Sequence, residues 1–154
     1  MIRGQASSLL TKDRELGYRQ AMREAGLEIE DGWVVEGDMT LAGAVRATGQ
    51  LLDHGMRPTA VFCANDEMAI GALHAIKSAG LAVPRDISLV GFDDIRYAEV
   101  MDPPLTTVAQ PAEEIGERVM YRLCREIDAE PGETAPEIVP HRLVLRQSVT
   151  APPD

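Results

Sequence analysis

Two rhythms of apolar residues alternate along this chain. One has helical spacing, with apolar side chains three and four residues apart, and the other is a short unbroken apolar run. The first helical stretch covers 11–26, where Leu10, Gly17, Ala21 and Ala25 fall near one face beside Tyr18 and Met22. Thr11 is placed to cap its start and Gly26 to stop it. A short strand is expected at Trp33-Val34-Val35. Leu41, Ala44, Val45, Thr48, Leu51 and Leu52 then predict a second helix, closed by Gly55.

The run Thr59–Cys63 reads as a strand buried on both faces. Asn65 caps the helix after it, with Met68, Ala72, Leu73 and Ile76 on its apolar side and Gly80 at its end. Asp66 and Glu67 occupy its first turn, where negative charge suits the helix dipole. Ile87–Phe92 and Leu105–Val108 are two more strands. Pro111 opens a helix at its favoured first position, with Ile115, Val119, Leu123 and Ile127 in one stripe. Glu137-Ile138-Val139 and Arg142–Leu145 close the series as short strands around Pro140, and the tail from Ala151 is expected to fray.

Alternating helices and buried strands argue for an α/β fold, a mainly parallel sheet flanked by helices. Ligands of such sheets bind at the carboxyl ends of the strands. That points to Met39 and Thr40, to Ala64–Asp66, to Phe92–Asp94 and to Gln110. The chain opens almost directly on a helix, with Ile2 as the trace of a preceding strand.

Composition narrows the function. With 154 residues, 45% of them hydrophobic, the chain is large enough for one well-formed core. Its 25 acidic and 15 basic residues give a net charge of −10. That surface repels a phosphate backbone, so the chain alone is expected to bind DNA weakly or not at all. Arg142 and Arg146 read as two isolated charges. Cys63 and Cys124 stand far apart and the three histidines are scattered, which gives no metal-ligand cluster and fits a reducing cytoplasm. The sequence shows neither an export signal nor an apolar run long enough to cross a membrane.

Enzyme signatures are thin. There is no nucleophile elbow, no phosphate-binding glycine loop and no dinucleotide fingerprint. Asp93 and Asp94 at a strand end, with Asp66 as a third acid, could hold magnesium for phosphoryl transfer, but no lysine is placed to complete that site. A second reading has a carboxylate accepting hydrogen bonds from a polyhydroxylated ligand, which favours Asp93. A third has both acids capping a helical turn that starts at Ile95, and Asp94 is open between the two. Asn65 serves as a helix cap or as a ligand contact. Arg14, on composition alone, is a solvated surface arginine.

Four strings give the sequence a family likeness. PTAVFCANDEMAIGAL at 58–73 and VPRDISLVGFDDI at 83–95 resemble successive strands of the lac repressor family. PPLTTVAQP at 103–111 resembles its crossover, and LVLRQSVT at 143–150 its last strand. Arg14–Tyr18 and Gly37-Asp38 fit the earlier part. The resemblance covers residues 2–150. It implies a periplasmic-binding-protein-like fold of type I, an incomplete two-subdomain sensor. Residues 1–109 would be the carboxyl-terminal effector-binding subdomain, 110–138 the portion returning to the amino-terminal one, and 139–154 the final strand and tail.

The resemblance also implies a role: sensing a small molecule, in all expectation a sugar, for a DNA-binding transcriptional regulator. A stand-alone sugar-binding protein shares the fold and is the alternative. Carried over by position, Arg14 and Asp93 would bind effector hydroxyls, Asn65 would line the cleft and Phe92 would precede the aspartate as its aromatic. Gln110 would touch ligand or hinge. Met39 stands where the family often stacks an aromatic on a sugar ring. Effector binding would shift the cleft between two states. The expected partners are the effector and a second copy, docked through the helix from Asn65 to Ala79 and the segment Ile95–Met101. DNA would be reached through a helix-turn-helix head that these residues do not contain. No cofactor is expected.

Overall fold

The computed structural model describes residues 1–53, 58–128 and 136–152. Its strands are β1 (Ile2–Arg3), β2 (Val35–Glu36), β3 (Ala60–Phe62), β4 (Ser88–Asp93), β5 (Thr106–Ala109) and β6 (Arg142–Val144). Its helices are α1 (Leu9–Glu24), α2 (Leu41–Asp53), α3 (Asp66–Ser78) and α4 (Ala112–Ile127). The trace of a strand at Ile2 is real: β1 pairs in parallel with β2. A parallel bridge between Ile2 and Cys63 joins that pair to the sheet β3-β4-β5-β6. All pairings are parallel except that of β6 with β5.

Strand alternation assigns the two faces. Val61 and Leu89, register partners in β3 and β4, are buried in the core with Met68, Ala72 and Ile76 of α3 and Ala44 and Ala47 of α2. Helices α2 and α3 lie close enough that a Cβ at Gly71 would come 2.3 Å from the Leu41 carbonyl oxygen. The alternate pair, Phe62 and Val90, points the other way. With Tyr18 and Met22 of α1, Trp33 and Leu27, it lines a cavity of about 470 Å³.

Helix ends follow the glycines. Gly26 has φ +70°, its N–H reaches the Arg23 carbonyl, and the Leu27 N–H reaches that of Met22. Gly80 at φ +77° repeats the pattern after α3, with Leu81 bonded back to Ile76. Both are Schellman closures, which a left-handed residue makes possible. Gly55 lies outside the described residues.

Several expectations need correction. Helix α1 begins at Leu9, so Thr11 is inside it and fully buried rather than capping it. Its packed stripe is Thr11, Arg14, Glu15, Tyr18 and Met22, whereas Leu10, Gly17, Ala21 and Ala25 face solvent. The inward stripe carries polar residues because it borders the strand ends, and that hides it from a search for apolar periodicity. Pro111 stands at the cap position of α4, not inside it. Residues 137–139 form no strand: Ile138 is 91% exposed, and Pro136 and Pro140 flank the segment without amides to donate.

Helix α4 differs from the others. It has no buried residue, although its apolar side chains fall on one face. Val119, Met120, Tyr121, Leu123 and Ile127 are each at least 47% exposed. After β6, the chain runs back past the amino ends of β4 and β5. Ser148 is buried there, donating to the Leu89 carbonyl at 2.5 Å and accepting from the Thr106 N–H at 2.8 Å.

Candidate functional site

The carboxyl ends of β3, β4 and β5 bring together most of the residues singled out from sequence. Arg14 leaves α1 and lays its guanidinium over the Phe92 ring, 3.9 Å from the centroid. It donates through Nη1 to the Ala64 carbonyl and through Nη2 to Asp93 Oδ1 at 3.4 Å. Gln110, one residue beyond β5, donates from Nε2 to the same Asp93 oxygen at 2.6 Å. The Arg14 side chain is only 11% exposed, which rules out the solvated surface arginine. A guanidinium so placed gains roughly 0.5–2 kcal/mol from the ring face, more as water is excluded.

Asn65 is the helix cap that the sequence predicts, and its amide also reaches the turn before α2. Its Oδ1 accepts from the Met68 N–H at 2.8 Å, capping α3, while Nδ2 donates to the Met39 carbonyl at 3.3 Å. Met39 and Asp38 both have positive φ, 68° and 54°. The Asp38 carboxylate holds that turn by accepting from the Thr40 N–H at 3.1 Å. The Met39 side chain lies over Gly4, where a Cβ would come 2.4 Å from the sulfur. So the turn between β2 and α2 reaches the same region as the ends of β3 and β4.

The Asp93-Asp94 turn is the second strained turn of the site, after Asp38-Met39. Its two residues have φ of 116° and 57° in succession, conformations that side-chain-bearing residues rarely adopt. Burial pushes the Asp93 carboxyl above its usual range, while Arg14 and Gln110 pull it back towards ionisation. Ile95 starts no helix, only a run of turns through Val100. Neither Asp93 nor Asp94 takes its amide; Asp66 does, with Oδ2 accepting from the Ile95 N–H at 2.9 Å.

Asp66 is fully buried, and its Oδ1 accepts from the Thr107 hydroxyl at 2.6 Å. Burial raises its pKa, opposed by these two hydrogen bonds. A Cβ at position 91 would stand 2.1 Å from the Asp66 oxygen, so β4 needs glycine there. Asp94 pairs with Arg146, Nη2 to Oδ1 at 2.8 Å. The three carboxylates therefore each turn to partners of their own, and they form no convergent magnesium pocket. Sequence reasoning set Arg146 aside as an isolated charge, because nothing near it in the chain predicts a partner fifty residues away.

Cys63 is buried, and burial pushes its thiol up to about 12, so it behaves as a small apolar core residue. The 470 Å³ cavity beneath α1 contains none of the clustered polar residues. No described helix is long and apolar enough to cross a membrane.

Comparison with known proteins bears on the family and the fold. Residues 1–149 match the family model of the periplasmic binding protein-like domain. The ribose operon repressor of Escherichia coli K12 is 46% identical over 129 residues, covering 84% of this chain and 37% of that protein. The HTH-type transcriptional repressor CytR of the same strain is 40% identical over 152 residues, covering 99% of this chain and 45% of its own. The chain thus spans less than half the length of these relatives. Among solved structures, a complex of the transcriptional regulator CelR with cellobiose superposes with TM-score 0.91 at 35% identity, covering 96% of this chain and 45% of that one. The lac repressor dimer bound to operator and the anti-inducer ONPF gives 0.89 at 32%, covering 97% and 51%. The chain belongs to the periplasmic binding protein-like domain family, in the form carried by LacI-type transcriptional regulators.

Proposed function

We propose that this chain forms the effector-binding wall of a sugar-responsive transcriptional regulator of the LacI type. The observation that carries the reading is the shared Asp93 oxygen. One carboxylate accepts from Arg14 and Gln110 at once, with Arg14 stacked on Phe92, at the carboxyl ends of three strands. Such a cluster offers fixed donors and an acceptor to a polyhydroxylated ligand, whose hydroxyls both donate and accept. Asn65 borders it, and Met39 gives that edge a thioether rather than an aromatic surface. A relative named for ribose and a neighbour holding cellobiose support sugars as the class.

In this reading residues 1–109 are the effector-binding subdomain and 139–154 complete it. Residues 110–138 belong to a second unit, whose described helix is α4. Its exposed apolar stripe fits a helix that packs on such a unit. We assign operator contact to a separate helix-turn-helix head. A homodimer would form through the open side of α3 and through Ile95–Met101, where Tyr97 and Val100 are 49% and 72% exposed. The activity is binding in the cytoplasm, not catalysis.

Thermal shift of the purified chain with D-ribose and with cellobiose tests this. A ligand at about a hundred times its Kd stabilises the native state by about 2.7 kcal/mol, roughly 5–10 °C for a domain of this size. Arg14→Ala and Asp93→Ala should abolish the shift while the apo protein still melts cooperatively. A shift that survives both substitutions would place the ligand elsewhere.

A further inference from the structure

We propose that Arg146 is a positioning residue of the effector site, setting the Asp93 carboxylate through its hold on Asp94. The proposal rests on the effector reading above. Two consecutive side-chain-bearing residues at positive φ persist only where their surroundings over-determine them. Asp66 fixes the far side of the turn through the Ile95 N–H. Arg146 fixes its middle.

Arg146 is itself held in three ways. Its backbone N–H donates to the Thr106 hydroxyl at 2.9 Å, its Nη1 donates to the Leu105 carbonyl at 2.9 Å, and its Nη2 meets Asp94. The side chains of Arg146 and Asp94 are each only 18% exposed, unlike an ordinary surface ion pair. A guanidinium anchored on a strand-end carbonyl is a rigid fork, so little freedom is lost when it takes the carboxylate. With Asp94 fixed in the left-handed region, the Asp93 side chain is delivered between Arg14 and Gln110. Gln110 lies just before α4 and Arg146 just after β6, so segments far apart in the chain hold the same turn.

The test uses Arg146→Met, which keeps the length and removes the charge, with Asp94→Asn and the double variant. Calorimetry with D-ribose, well below melting, should show each single variant binding about tenfold more weakly, as expected for a lost charged hydrogen bond. The double variant should bind no worse than the weaker single, and Arg146→Lys should fall between wild type and Arg146→Met. Unchanged ribose affinity in a folded Arg146→Met would overturn the proposal, leaving Arg146 a stabilising residue only. If wild type binds neither ribose nor cellobiose, the effector reading fails for those sugars, and amide hydrogen exchange then decides the positioning claim. Arg146→Met should accelerate exchange at Ile95 about tenfold or more relative to Leu89, as for a locally released turn. Equal exchange in both proteins would refute it.

Discussion

At the scale of single residues, burial decides more than residue type. Arg14 makes the point in the site: its type reads as solvent-facing, and the Phe92 ring and Ala64 carbonyl make it a buried scaffold.

At the scale of elements, close approach separates glycines that look alike in sequence. Gly17 and Gly71 both sit inside helices. A Cβ at Gly17 meets nothing within 4 Å, whereas one at Gly71 would strike the Leu41 carbonyl that α2 presents to α3. Gly17→Ala should stabilise the protein by about 0.5–1 kcal/mol through helix propensity. Gly71→Ala should destabilise it by about 1–3 kcal/mol, since backbone must shift. Chemical denaturation of the two variants checks both signs. Helix α4 is also legible as an element, because its stripe from Ile115 to Ile127 needs only a 3.6-residue period. What the stripe packs against is not written in it. With no buried residue, α4 should exchange its amides far faster than α3, whose Met68, Ala72 and Ile76 are fully buried. Equal protection in α3 and α4 would mean that α4 is covered in solution.

At the scale of the whole molecule, the net charge of −10 opposes polyanion binding. A mobility-shift assay at moderate salt should detect no retarded operator complex with this chain. Nanomolar, sequence-specific retardation would contradict the assignment of DNA contact to a separate head. Connectivity matters more than charge at this scale. The segment after β6 bridges the amino ends of β4 and β5 through Ser148, so its loss would weaken the sheet that carries Asp93 and Gln110. Truncation before Ser148 should therefore cost both stability and ligand binding, as read by thermal melts with and without sugar.

Legible in the residues alone are the alternation of helices and strands, the glycine stops at Gly26 and Gly80, and the strand ends that carry Asn65, Asp93 and Gln110. These follow from local rules: periodicity, left-handed tolerance and the placement of polar residues just past buried strands. The face of α1 and the pairing of Asp94 with Arg146 come from the packing of distant segments. Thr11, Arg14 and Glu15 face inward because the strand ends beneath them offer polar partners, such as the Ala64 carbonyl to Arg14 and the Arg3 guanidinium to Glu15. Asp94 finds its partner on a segment that leaves the sheet for α4 and returns. Such pairings depend on which segments the topology makes neighbours, and no local pattern in a single chain encodes that.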